Sequence, residues 1–328
     1  MRAPDLWSRH DIAARLAVAA LSPLGWIYGA VTALKRINAA PRRTRARVIC
    51  VGNLTAGGSG KTPIVHALAS MLREKGLQAV ILSRGYGGRQ REATFVVPGH
   101  GPADVGDEPL MLAAIAPVIV SRDRRAGAAL ADSHGADVIV MDDGHQNFQL
   151  EKDLSIVVVD AEKGFGNGHI LPAGPLRETV RAGLARADVV VLVGAGAPAL
   201  PGYSGPVLRA QLKPHDELDL HGNRVVAFAG IGRPDKLFST LRALGADVAD
   251  TIAFSDHHVF SASEIARLKS KARNVGAMLI TTEKDFVRLT PAEREGIIPL
   301  RVRAQFETAD VAEFFLGKIA LHGRDSAA

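Results

Sequence analysis

Lys61 and Thr62 close a run from Asn53 in which Gly57, Gly58 and Gly60 recur, directly behind the apolar residues Val48-Ile49-Cys50-Val51. Between a strand and a helix such a run is a phosphate-binding loop. Thr55, Ala56, Gly57, Gly58, Ser59 and Gly60 turn backbone N–H groups toward a nucleotide's phosphates. Lys61 reaches the β and γ oxygens, and the Thr62 hydroxyl can sit on Mg²⁺ at a helix N-terminus that already favours anions. The usual pattern G-x-x-x-x-G-K-[ST] has glycine where this chain has Thr55, so the loop is closer to a GG-x-G-K-T variant. A second cluster follows the run Val138-Ile139-Val140-Met141, where Asp142-Asp143-Gly144 would bring carboxylates to the carboxyl end of a buried strand. There one carboxylate can hold Mg²⁺ and the other can orient a nucleophile. Two further clusters are locally less telling. Gly106-Asp107-Glu108-Pro109 reads as a helix start with Asp107 as its cap, and Ser255-Asp256-His257-His258 reads as a turn. The adjacent histidines lack the i, i+4 spacing of a zinc site.

The elements that must position these groups are legible as apolar runs. Val48 to Val51, Ala79 to Leu82, Val118 to Val120, Val138 to Met141, Ile156 to Val159 and Val189 to Val193 do not alternate with polar residues, and helical stretches separate them. Such runs predict a doubly wound, mostly parallel sheet of the P-loop NTPase type, covered on both faces. Gly194 to Asp219 reads as a boundary. Beyond it Val225 to Ala229, the helix after Pro234, the Ser261-x-x-Glu264 capping box and Ala277 to Thr281 predict a smaller α/β domain. The expected division is 1–37, 38–212 and 213–328, with the last helix able to pack back on the middle domain and the final ten residues frayed.

Composition sets the surroundings. Of 328 residues 47% are apolar, so the chain can bury a large core, and the single cysteine, Cys50, excludes an internal disulfide. The net charge of +6 is clustered at Arg42, Arg43, Arg45 and Arg47, at Arg84, Arg89 and Arg91, and at Arg122, Arg124 and Arg125. Nucleic acid, phospholipid head groups and phosphorylated substrates all suit such charge. From Leu16 to Leu34 no residue is charged, although Pro23, Gly25 and Gly29 interrupt the run, and Lys35 and Arg36 follow it. Its length suits a membrane anchor, with Trp26 and Tyr28 at the interface and the bulk of the chain on the cytoplasmic side; a buried core helix is the alternative.

In their order, VGNLTAGGSGKTP at 51–63, LSRGYGG at 82–88, GDEP at 106–109, MDDGHQN at 141–147, FGNGHILPAGPLRE at 165–178, FSDHH at 254–258 and TTEKD at 281–285 resemble the tetraacyldisaccharide 4'-kinases, the lipid A 4'-kinases of Gram-negative bacteria, nearly end to end. The resemblance implies transfer of the γ-phosphoryl group of ATP, with Mg²⁺, to the 4'-hydroxyl of a membrane-borne acylated glucosamine disaccharide 1-phosphate. It implies lipopolysaccharide biosynthesis at the cytoplasmic face of the inner membrane, contact with inner-membrane lipids, and neither nucleic acid nor an obligate protein partner. Residue by residue it implies Lys61 and Thr62 on phosphates and metal, Asp142 and Asp143 at the metal, Asp107 as catalytic base assisted by His257, and Gln146, Arg177 and Glu178 at the active site. His145 and Asn147 around Gln146 depart from the family pattern. Two other classes stay open on the residues alone, a nucleotide-hydrolysing switch and a membrane adaptor. Against guanine reading, Lys284 and Asp285 in TTEKD lack the intervening residue of [NT]-K-x-D.

Overall fold

The computed structural model describes Trp7, Arg9 and residues 11–215 and 218–321. The Val- and Ile-rich runs form the buried centre of a large sheet built from β1 (Arg47–Gly52), β2 (Ala79–Ser83), β3 (Thr94–Phe95), β4 (Val118–Val120), β5 (Val138–Asp142), β6 (Leu154–Asp160), β7 (Val189–Val193) and β8 (Val207–Pro214). A second sheet takes β9 (Arg224–Ala229), β10 (Asp247–Ala253), β11 (Met278–Thr282) and β12 (Ile297–Leu300), after which β13 (Val302–Phe306) returns to the first. The nine-stranded order is β13-β8-β7-β6-β1-β5-β2-β4-β3, and the smaller sheet runs β10-β9-β11-β12. Only the edge pairs β3–β4 and β13–β8 of the described ladders are antiparallel. The fold is therefore the expected doubly wound α/β arrangement. Its order reverses around β1, which lies between β5 and β6 and sets its carboxyl end at the crevice where ligands bind in such sheets.

The helices of the large sheet are α2 (Lys61–Glu74), α3 (Pro102–Val105), α4 (Asp107–Leu112), α5 (Arg124–Ser133) and α6 (Val180–Leu184), preceded by α1 (Ile12–Ile37). The smaller sheet carries α7 (Pro234–Ala243), α8 (Ala262–Asn274), α9 (Glu283–Phe286) and α10 (Pro291–Arg294), and α11 (Val311–Leu321) ends the described chain. One face of the large sheet packs Ile49, Val51 and Val140 against Ile64, Leu68 and Leu72 of α2, while the other packs Val48, Ile139 and Met141 against Ala128 and Ala131 of α5. Around the smaller sheet α8 starts on the expected capping box, Ser261 accepting from the Glu264 N–H and the Glu264 carboxylate accepting from the Ser261 N–H.

Two features differ from the sequence reading. β8 lies inside the stretch read as a boundary, and it crosses position 212. Its pattern is mixed rather than continuously apolar, with Leu208 and Ala210 buried and Val207 and Gln211 exposed. Past the small domain, β13 pairs with β8 from Val302↔Pro214 to Phe306↔Ala210, and Phe315 of α11 is buried in the core that α2 covers. The chain thus leaves the large domain, builds the small one and comes back. Of the final ten residues expected to fray, 319–321 close α11 and the rest lie outside the described residues, as do most of the first ten.

In α1, Asp11 caps the N-terminus by accepting from the Ala14 N–H at 2.8 Å, and Lys35 and Arg36 close the last turn. The helix is long and apolar enough to cross a membrane and only 6% of its most apolar window is buried. Leu16, Leu24, Trp26, Ile27, Val31 and Leu34 are exposed. It touches the globular body at Gly25 and Gly29, where a Cβ on Gly25 would come within 2.9 Å of the Ile170 carbonyl oxygen and one on Gly29 within 3.0 Å of the Ile170 side chain. These glycines let the helix lie directly on the segment around Ile170.

Candidate active site

Backbone contacts rather than side-chain bulk shape the loop between β1 and α2. Gly57 and Gly60 have φ of 103° and 83°, which side-chain-bearing residues rarely adopt. A Cβ on Gly57 or Gly58 would meet no atom within 4 Å, so packing does not require those glycines and the bare backbone faces open space. Asn53 braces the loop from inside, donating to the Thr55 carbonyl at 2.7 Å and to Ser59 Oγ at 2.9 Å. From outside, residues 169–177 clamp it. Ala56 N–H donates to the Pro175 carbonyl at 2.7 Å, Arg177 N–H donates to the Leu54 carbonyl at 2.8 Å, and Thr55 bridges Leu176. Lys61 and Thr62 open α2 beneath this cradle.

The carboxyl end of β5 brings its two aspartates into different settings. Asp143, with φ of 50°, turns its carboxylate to Lys61 Nζ at 3.4 Å and to Arg177 Nη1, which reaches both oxygens at 2.9 Å. Burial would raise its pKa, but Lys61 and Arg177 outweigh burial and hold it below the ordinary carboxylate value. Asp142 points into the protein, where Ser83 Oγ lies at 3.4 Å from Oδ2. Burial, with Glu108 and Asp143 nearby, pushes its pKa up to about 7. A buried carboxylate short of positive charge is what a divalent cation would relieve, and Thr62 supplies a hard oxygen from the adjoining helix start. Beneath it Arg124 donates to the Asp142 carbonyl at 3.2 Å, and burial lowers its pKa to about 10.

Gln146, Arg177 and Glu178 form one further network. Gln146 Nε2 donates to Glu178 Oε1 at 3.0 Å and to the Asn53 carbonyl at 2.9 Å, and its Oε1 accepts from Arg177 at 3.3 Å. Arg186 grips both Glu178 oxygens at 2.8 Å. Arg186 was not singled out by sequence reasoning, and its signal is weak: one arginine in the turn after α6, eight residues beyond Glu178. His145 points away and places Nε2 at 3.0 Å from the Gly183 carbonyl, and burial drops its pKa to about 4, so it stays neutral.

The GDEP and FSDHH segments meet. His257 Nδ1 lies 3.0 Å from Asp107 Oδ2, although 150 residues separate them. Gly106 rather than Asp107 precedes α4 as its cap, and Asp107 is the first helical residue with its side chain committed elsewhere. Arg288, unmarked by any motif, donates to the same Oδ2 from Nε at 2.9 Å and Nη2 at 2.6 Å. Burial raises the Asp107 pKa, but the bonds from His257 and Arg288 prevail and lower it to about 2. Lys284 of TTEKD bridges Glu108 Oε1 at 3.3 Å and lies 3.4 Å from His257 Nε2. The large domain thus offers Asp107 and Glu108, and the small one answers with His257, Lys284 and Arg288.

A strand–loop–helix cradle, paired aspartates at the end of the neighbouring strand β5 and an Asp–His pair from the two sheets' units are parts that suit phosphoryl transfer. The family described as tetraacyldisaccharide-1-P 4'-kinase matches residues 17–320. The tetraacyldisaccharide 4'-kinase of Rhodospirillum rubrum is 47% identical over 330 residues, covering 98% of either chain. That of Rhodospirillum centenum is 49% identical, covering 99% of this chain and 98% of its own. Among solved structures, the apo-form LpxK from Aquifex aeolicus in complex with ATP superposes with a TM-score of 0.77 at 26% identity, over 92% of this chain and 99% of that one. Matched over almost its whole length by sequence and by fold, the chain belongs to the tetraacyldisaccharide-1-P 4'-kinase family.

Proposed function

We infer from the family and the site together that the chain is an ATP-dependent tetraacyldisaccharide 4'-kinase of lipid A biosynthesis, and we propose the following division of work among its residues. The loop from Thr55 to Gly60 and Lys61 hold the phosphates of ATP, and Thr62 with Asp142 and Asp143 holds Mg²⁺. ATP supplies the transferable γ-phosphoryl group, and Mg²⁺ neutralises charge on its oxygens. Arg177 and Lys61 keep Asp143 ionised, while Gln146 and Glu178 keep Arg177 facing the cradle. Asp107 accepts the proton of the 4'-hydroxyl as that oxygen bonds to the γ-phosphorus and the bond to the β-phosphate oxygen breaks, its electrons leaving on ADP. His257 orients Asp107 and shares the proton. Phosphoryl transfer asks a protein mainly for such positioning and charge balance.

The observation that carries this assignment is the 3.0 Å contact of Asp107 with His257 across two domains, beside the Asp142 whose titration Glu108 perturbs. A helix cap and a solvated turn would have no reason to meet. The exposed apolar α1, followed by Arg42, Arg43, Arg45 and Arg47, supports anchoring at the cytoplasmic face of the inner membrane, where the basic stretch meets anionic lipid head groups and the substrate's 1-phosphate. The deciding experiment is transfer of labelled γ-phosphate from ATP to a tetraacylated disaccharide 1-phosphate in detergent, with the acylated monosaccharide as comparison. Label on the disaccharide supports the reading, and acceptor-independent hydrolysis alone would return the chain to the nucleotide-switch class.

A further inference from the structure

Arg288 sits at a junction that no sequence motif marks. Its side chain is 6% exposed and every edge of the guanidinium is used. Nε and Nη2 donate side by side to Oδ2 of Asp107, at 2.9 and 2.6 Å. Nη1 faces the other way, donating to the Gly230 carbonyl and to Oδ1 of Asp285 at 2.9 and 2.8 Å. Asp285 is itself fully buried, and its Oδ2 accepts from the Gly230 N–H at 3.0 Å and from Thr282 Oγ1 at 2.6 Å. Thr282 ends β11 and Gly230 follows β9, so the guanidinium is fixed from two strand ends of the small domain and reaches across to α4 of the large one. A lysine could not do this, because only the planar fork serves both sides at once.

His257 Nδ1 also lies 3.0 Å from Oδ2 of Asp107, so two guanidinium donors and the imidazole meet at one oxygen. Among the described residues Oδ1 has no hydrogen-bonded partner. Resting on the reading of Asp107 as proton acceptor, we infer that Arg288 is the positioning residue of the transfer step: it pins Oδ2 and presents Oδ1 as the oxygen that receives the proton of the acceptor hydroxyl. The small domain thereby contributes the orientation of the base as well as His257, and the base is aligned when the two domains are together.

The alternative is an interdomain strut with no part in the chemistry. Arg288→Lys keeps a charge without the fork, and Asp285→Asn with Arg288→Gln removes both buried charges together, so neither leaves Asp285 ionised and unpaired. Each should fold, checked by circular dichroism and thermal unfolding. Both are expected to lower kcat about 10- to 100-fold, the loss that misplacing a reacting group brings, with the KM for ATP unchanged. In the neutral double variant the acid limb of kcat should move to higher pH. The charged and titratable groups around Asp107 would then be Glu108 of α4, Tyr86 from the loop after β2, Asp256 and His257 from the loop after β10, and Lys284 of α9, and burial would be opposed by fewer cations. Added to Asp107→Asn, the Arg288 changes should cost almost nothing more. If Asp107→Asn is inactive while the Arg288 variants keep both rate and acid limb, or lose the same factor again on the Asp107→Asn background, Arg288 is a strut and the inference is overturned. Full kcat in Asp107→Asn would instead overturn the reading of Asp107 as base.

Discussion

Asp107 and Asp142 titrate in opposite directions: burial raises both, but His257 and Arg288 overcome it at Asp107, whereas at Asp142 Glu108 and Asp143 add to it. Asp107, under two N–H donors of Arg288, stays ionised down to about pH 2, whereas Asp142, walled in with Glu108 and Asp143 nearby, holds its proton up to about 7. The folded pKa of Asp107 lies below the unfolded value of 3.8, so its stabilising contribution is complete above that value and is lost as pH falls toward 2. Asp107→Asn is expected to flatten the acid arm of an unfolding profile in that window. In catalysis, Asp107→Asn should lower kcat by roughly 10² to 10⁴, or about 3 to 5 kcal/mol of transition-state stabilisation, with ATP binding kept. His257→Ala should cost less, and because both act on one proton the double variant should scarcely fall below Asp107→Asn. Multiplicative losses in steady-state assays would show that they work apart. Lys61→Ala should lose most transfer with its melting temperature little changed, and activity near that of the parent would refute the phosphate role. At this scale the sequence was readable where chemistry and backbone coincide: a glycine loop ending in Gly-Lys-Thr has little else to be. Asp107 was not readable locally, since an acid at a helix start needs no further explanation, and only the order of motifs picked it out. Arg288 could not be read at all, because its partner lies 181 residues away and one arginine among many carries no pattern.

Elements were legible to the extent that burial made them uniform. β1, β5, β6 and β7 are covered on both faces and stand out as Val and Ile runs, whereas β8 mixes buried, half-buried and exposed positions, β10 has only exposed and half-buried ones, and both read as irregular chain. The long apolar helix α1 was legible by its uncharged run, but what it touches was not. It rests on Ile170, which bridges Leu176, which in turn bridges Thr55 of the phosphate loop. Gly25→Leu is therefore expected to force α1 off this segment and raise the KM for ATP several-fold, even in detergent where anchoring is irrelevant. Serine at the exposed Leu16 and Ile27 should weaken membrane sedimentation and leave that KM alone. An unchanged KM in Gly25→Leu would show that the helix and the loop are uncoupled.

At the scale of the whole molecule, the small domain is an insertion between β8 and β13, and the contacts named across the cleft are largely ionic: Glu108 to Lys284, Asp107 to Arg288, and Asp160 to Arg233 at 3.3 Å. Glu108–Lys284 and Asp160–Arg233 are partly exposed and so open to screening by salt, while the buried Asp107–Arg288 pair is screened less. Transfer is expected to fall with rising ionic strength more steeply than ATP binding does, a difference that parallel titrations with potassium chloride would reveal. The second sheet was legible because composition changes after Val193, but the return of the chain to the first was not, for β13 is short and mostly half-buried. That return has a consequence for synthesis. A nascent chain that has emerged as far as Leu300 possesses every residue proposed to touch ATP, yet the edge of β8 is unpaired and the place of Phe315 against α2 is empty. Native pairing of that edge waits for β13, which follows the whole of the small sheet. Until β13 and α11 follow, the half-made chain exposes an open strand edge and an apolar hollow over α2, which makes this the stage at which it most needs a chaperone.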